Sequence, residues 1–152
     1  MSLVIVAGAG PGLGRALLHR FTEGGYSTVG FARTAIEGGA IATRQVDLTS
    51  SEQVTTAVSA LIETHGPPKI VIHNPAQLLI APLMETAQNE FENCWRAMAL
   101  SAFVLAQAVV KTMADNGGGT FIVSGATASL RGGARFAAFA SAKFALRGLT
   151  QS

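Results

Sequence analysis

Apolar and polar positions along this chain switch between two periods, and the switches mark its elements. Leu3 to Ala7 is an unbroken apolar run ending in glycines, the pattern of a strand buried on both faces. Leu13, Ala16, Leu17 and Phe21 follow at helical spacing, and Gly24-Gly25 stops that helix. Ser27 to Ala32 predicts a second strand, and Ile41 to Val46 a third, weaker one. Ser50-Ser51-Glu52-Gln53 reads as a capping box in which Gln53 reaches back to the Ser50 amide. Val54, Ala57, Val58, Leu61 and Ile62 line one face of the helix it opens. Gly66-Pro67-Pro68 ends that helix, and Lys69 to His73 is a fourth strand.

Pro75 and Pro82 keep the 76–85 connection irregular. Thr86 is the expected cap of a long helix with Phe91, Trp95, Met98, Ala102 and Leu105 on one buried stripe. Asn116 to Gly119 breaks it, Thr120 to Ser124 is a fifth strand, and a last helix runs from about Phe136 to the end. Strands separated by helical crossovers imply an α/β chain with a doubly wound parallel sheet in one domain spanning residues 1–152.

Composition agrees with that architecture. The 152 residues are 49% hydrophobic and 13% charged, as a parallel sheet covered on both faces requires. Net charge is +2 with scattered basic residues, so nothing marks a nucleic-acid footprint. All nine acids lie at or before Asp115, whereas Arg131, Arg135, Lys143 and Arg147 follow without one. This asymmetry reads as lost partners or as an anion-friendly surface. The apolar run Met98 to Val110 is shorter than the ~20 residues a bilayer needs, so no membrane span is expected. Cys94 is the only cysteine, which excludes an internal disulfide and fits a reducing, cytoplasmic setting. Cys94 itself reads as a buried inert thiol. His19, His65 and His73 lack metal-ligand spacing, so no metal is expected.

The chemistry lies between the first strand and first helix, in Gly8-Ala9-Gly10-Pro11-Gly12-Leu13-Gly14. Glycines let a backbone approach phosphates, and a helix N-terminus supplies N–H groups and a favourable dipole. The spacing G-x-G-x-x-G fails because Leu13 stands at its third glycine, whereas G-x-x-x-G-x-G fits Gly8, Gly12 and Gly14.

With that spacing the chain resembles the short-chain dehydrogenase/reductase family over essentially its whole length. The resemblance implies a Rossmann-like sheet in the order 3-2-1-4-5. It also implies a nicotinamide dinucleotide held by Gly8, Gly10, Gly12, Leu13, Gly14, Arg33, Asp47, Leu48, Asn74 and Lys143. Asp47-Leu48 resembles the pair that contacts adenine, and His73-Asn74-Pro75-Ala76 occupies the place of an Asn-Asn-Ala-Gly motif, keeping only Asn74. In such domains a basic residue after the second strand accommodates a 2′-phosphate, whereas an acid binds the ribose of NAD. Here Arg33 follows that strand and the next acid is Glu37, so NADP(H) is expected over NAD(H).

The family reaction moves a hydride between nicotinamide and a carbonyl or alcohol. A tyrosine, a lysine four residues later, a serine and an asparagine handle the proton. Lys143 matches the lysine; Phe139 stands at the tyrosine, Ala126 at the serine and Met98 at the asparagine. Thr127 is the nearest substitute hydroxyl. Tyr26, the single tyrosine, lies on the nucleotide side. Catalysis on a small carbonyl or alcohol is therefore expected to be impaired, the alternative being a non-catalytic nucleotide-binding sensor or interaction protein.

The family also continues with two more strands and a pocket-closing loop, leaving the fifth strand here as a sheet edge that invites aggregation unless covered. A fragment, an early stop and a self-associating shortened form all fit this ending. The resemblance further implies homo-oligomers built on helices 87–113 and 136–152.

Overall fold

The computed structural model describes residues 1–34 and 41–152. Glu37 and the neighbouring 35–40 segment lie outside the described residues. Five strands, β1 (Leu3–Ala7), β2 (Ser27–Ala32), β3 (Ala42–Gln45), β4 (Pro68–His73) and β5 (Thr120–Val123), form one sheet in the order β3-β2-β1-β4-β5. Every pairing is parallel, as the alternation with crossovers predicted. The sheet is flanked by α1 (Leu13–Glu23), α2 (Ser51–His65), α3 (Gln88–Trp95), α4 (Ser101–Asp115) and α5 (Ala137–Gln151).

The central strand explains the layering. All five residues of β1 are fully buried, and successive side chains face opposite ways. Leu3, Ile5 and Ala7 join the core built with Val54, Val58 and Leu61 of α2 and Leu105, Val109 and Met113 of α4. Val4 and Val6 enter a smaller core with Leu18 of α1 and Ile72. A third cluster joins Cys94 and Met98 to Ala138 and Ala142 of α5. β5 has no partner on its outer side among the described residues, and Ile122 is exposed there.

Two glycines hold the first crossover in shape. Gly12, the residue before α1, has φ of 95°, a backbone region that L side chains rarely adopt. At Gly14 an added Cβ would fall 2.2 Å from the Gly8 carbonyl oxygen, so α1 approaches the loop only because no side chain stands there.

Several local expectations need correction. The Ser50 hydroxyl does accept the Gln53 N–H at 3.3 Å, but Gln53 Oε1 takes the Asp47 N–H at 2.9 Å. The Ser50 amide is already bonded to the Asp47 carbonyl and leaves Gln53 nothing to accept. Thr86 is not the cap of the long helix: its hydroxyl donates to the Pro82 carbonyl at 3.0 Å and closes the preceding turn. α3 starts after Ala87, whose N–H is taken by Glu90 at 3.1 Å.

Helix α3 passes into α4 through a π-helical turn, Arg96–Leu100. The buried line accordingly runs through Cys94, Met98, Ala102 and Leu105, while Phe91 and Trp95, expected on that line, are 39% and 40% exposed. The combined helix, Gln88–Asp115, is 28 residues long, so the length argument against a membrane span does not hold by itself. What distinguishes it is that α4 packs against α2, β4 and β5 through its apolar residues.

Candidate active site

The parallel strands deliver their C-terminal ends to one edge of the sheet, and a cleft of about 910 Å³ opens there. Gly8, Gly10 and Pro11 of the first loop, Ala32 and Arg33 after β2, and Asp47 and Leu48 after β3 line it. Asn74 after β4 adds to them, and Asn93, Arg96, Ala97 and Ser101 form the helical wall. Of the expected cofactor residues, Gly8, Gly10, Arg33, Asp47, Leu48 and Asn74 meet in this cleft. Gly12, Leu13, Gly14 and Lys143 do not line it.

The Leu13 side chain is 58% exposed. The backbone N–H groups of Leu13 and Gly14 open α1, and no acceptor for them is present among the described residues. Such unpaired donors at a helix start are suited to an anion.

The arrangement is fixed by hydrogen bonds. Asn74 Nδ2 donates to the Gly8 carbonyl at 3.2 Å, and Asn74 Oδ1 accepts from the Ser124 hydroxyl at 2.7 Å. The Asn74 N–H reaches the Ala7 carbonyl at 2.8 Å. Asn74 thus ties the glycine loop to β1 and β5. Asp47 Oδ1 accepts the Thr49 hydroxyl at 2.8 Å and the Thr49 N–H at 2.9 Å. Those bonds hold its carboxyl below the usual carboxylate range, with Arg96 and Arg33 adding to the effect.

The proton-handling positions form a different neighbourhood. Lys143 is almost wholly buried, its ammonium donates to the Ser124 carbonyl at 2.7 Å, and it lies 5.7 Å from the centre of the Phe139 ring. Burial pushes its pKa down. Lys143 is therefore withdrawn from the basic surface that the C-terminal charge asymmetry suggested. Met98 is fully buried against α5, with Phe139 packed on the same cluster. Ala126 and Thr127 are exposed where a short helical turn, Thr127–Ser129, follows β5. The Ala126 N–H donates to the Ser129 hydroxyl at 3.1 Å. Cys94 is buried as expected; its thiol donates to the Gln77 carbonyl at 3.0 Å, and burial pushes its pKa up.

Sequence reasoning missed the His73–Ser101 pair. Ser101 donates its hydroxyl proton to the Ala97 carbonyl at 2.7 Å, so it accepts from His73 Nε2, also at 2.7 Å. This fixes the Nε2–H tautomer and leaves Nδ1 as a buried lone pair without a partner among the described residues. Desolvation, helped by the nearby Lys143 charge, lowers the His73 pKa to about 4. Arg96, Asn93 and Gln77 were missed as well. Arg96 lies beside the Phe91, Trp95 and Met98 stripe, and the sequence carried no signal for its place in the cleft.

A glycine loop between β1 and α1 and a cleft at the ends of a parallel sheet ordered β3-β2-β1-β4-β5 define a Rossmann-like fold. The family model for short chain dehydrogenases matches residues 2–152, and the chain belongs to that family.

A short-chain dehydrogenase from Rhodopseudomonas palustris is 32% identical, with a TM-score of 0.92 over 99% of this chain and 76% of that one. The 3-oxoacyl-[acyl-carrier-protein] reductase MabA of Mycobacterium bovis is 27% identical over 98% of this chain and 60% of its own length. An alcohol dehydrogenase from Thermococcus sibiricus, solved with 5-hydroxy-NADP, shares the fold at a TM-score of 0.90 and 21% identity, covering 99% of this chain and 69% of that one. The chain spans about 60% of the length of the first curated relatives it matches.

Proposed function

We propose that this chain is an NADP(H)-binding short-chain dehydrogenase in which the family's hydride transfer to or from a small carbonyl or alcohol is weakened. The observation that carries the reading is the cleft itself, in which the glycine loop, Arg33, Asp47, Leu48 and Asn74 converge. Its residues suit the dinucleotide. The α1 N-terminus would take the pyrophosphate, and Asp47 and Leu48 the adenosine. Arg33, without an ion pair among the described residues, offers a cation to a 2′-phosphate. When bound, nicotinamide supplies or accepts the hydride. Arg33 is the basis for NADP(H) over NAD(H), since the Thermococcus sibiricus neighbour speaks to fold alone at its identity.

This chain's own residues handle the proton poorly. Phe139 has no acidic proton, Ala126 offers no hydroxyl to a substrate carbonyl, and Met98 cannot continue a relay. Loss of a positioned general acid costs roughly 10²–10⁴ in rate. A second reading, a non-catalytic nucleotide-binding sensor or interaction protein, is favoured by Lys143, which is buried on the Ser124 carbonyl instead of lining the cleft. Homo-oligomers through helices 87–113 and 136–152 fit the exposed Phe91, Trp95, Phe103, Val110 and Phe144. A cytoplasmic location fits the single free thiol.

The test is Arg33→Ala with both cofactors. NADPH affinity should fall by about tenfold or more while NADH affinity changes little. An equal loss for both would remove the selectivity argument. Turnover of NADPH with a carbonyl panel separates the two readings: slow but measurable reduction supports the weakened enzyme, and none supports the binding protein.

A further inference from the structure

The wall of the cleft that faces away from β2 carries a second arginine. Arg33 follows β2, and Arg96 stands on the helix that follows β4. In the sheet order these strands lie on either side of β1, and both arginines line the same cleft and act electrostatically on Asp47. Arg96 is the first residue of the π-helical turn, where the change of pitch re-aims side chains relative to a regular helix. Single π turns within α-helices occur frequently at functional sites. The Arg96 side chain is exposed and makes no hydrogen bond or ion pair among the described residues, and the same holds for the Arg33 side chain.

Among the described residues, charge at this end of the cleft does not balance. Asp47 is the one acid lining it among the described residues, and its Oδ1 is already engaged by the Thr49 hydroxyl and N–H. Neither arginine closes an ion pair with it. Two cations therefore face one carboxylate in a recess bounded by protein, where charges are screened less than on an open surface. The α1 N-terminus, where the pyrophosphate would sit, lies at the glycine loop and does not draw on either guanidinium.

We infer that Arg96 is a second recognition residue for a phosphate on the adenosine ribose, gripping it together with Arg33. This rests on the nucleotide reading above and deepens it: selectivity for the 2′-phosphorylated cofactor is shared between two arginines that line the cleft. Guanidinium groups suit the role because their planar donors pair bidentately with phosphate oxygens.

The test uses probes that contain the adenosine end alone: adenosine 2′,5′-bisphosphate and 5′-AMP, titrated calorimetrically into wild type, Arg96→Ala, Arg96→Lys and Arg33→Ala. Arg96→Ala should weaken the bisphosphate about tenfold and 5′-AMP by less than about twofold, and Arg96→Lys should recover part of the loss. Because Arg96 is exposed, its variants should keep the wild-type melting temperature. An equal loss for both probes would mean that Arg96 stacks on adenine or acts structurally, and would overturn the inference. A wild-type preference that Arg33→Ala abolishes and Arg96→Ala leaves intact would overturn it while sparing the nucleotide reading. Wild type that binds neither probe would overturn both.

Discussion

Acid should destabilise this protein through His73. The ring is fully buried, donates Nε2–H to Ser101 and leaves Nδ1 without a partner among the described residues, so a proton added there would place a charge in the interior near Lys143. Its pKa is about 4 in the folded state against 6.5 for an ordinary histidine. Between these values the unfolded chain binds more protons than the folded one, so stability falls as pH drops from 6.5 toward 4 and flattens below 4. Linkage gives a loss of about 2 kcal/mol at pH 5 and roughly 3 kcal/mol by pH 4. Against the ~5–15 kcal/mol of a typical domain this is a large share.

Urea titrations at pH 7, 6, 5 and 4.5 on wild type and His73→Gln would read it. Glutamine can retain the donor to Ser101 but does not titrate, so carboxylates common to both proteins cancel in the difference. Wild type should lose about 2 kcal/mol more than the variant between pH 7 and pH 5. Parallel profiles, agreeing within about 0.5 kcal/mol, would refute the reasoning and mean that the imidazole protonates freely in the folded state.

Two further substitutions probe other parts of the account. Gly14→Ala places a Cβ 2.2 Å from the Gly8 carbonyl, so α1 must move; about 1–3 kcal/mol of stability and most nucleotide affinity should go, as urea unfolding and calorimetry would show. A binding isotherm like that of wild type would mean the loop tolerates the shift. The double variant Phe139→Tyr with Ala126→Ser restores the acid and the hydroxyl, and should raise NADPH-dependent carbonyl reduction by at least ~10². No gain would place the defect in the positions left unchanged, Met98 and Lys143, whose ammonium is held on the Ser124 carbonyl.

Strand pattern was legible because buried parallel strands are written as continuous apolar runs, and β1 is buried along its whole length, whereas the sheet order came with the family resemblance. The glycine loop was legible for a related reason: Gly12 and Gly14 stand where backbone conformation and close packing permit little else. The long helix was less so. A 3.6-residue period carried through Phe91 and Trp95 misses a π turn, because the extra residue is set by packing against α5 and not by local propensity. The caps failed similarly, since Gln53 and Thr86 found nearer backbone partners than the ones their spacing suggested.

A parallel sheet brings the loops after its strands to one edge, and in the site the residues on those loops were placed by the family resemblance. The direction of a long side chain was not. Lys143 lies on the expected helix but turns inward, and Arg96 enters the cleft from a helix that periodicity alone would read as core.

The central claim is that the cleft is a working site for a 2′-phosphorylated nicotinamide dinucleotide. Calorimetric titration of the purified chain with NADPH and then NADH tests it most directly. The account predicts micromolar binding of NADPH and about tenfold or more weaker binding of NADH. Failure to bind either cofactor by a chain that unfolds cooperatively would contradict it.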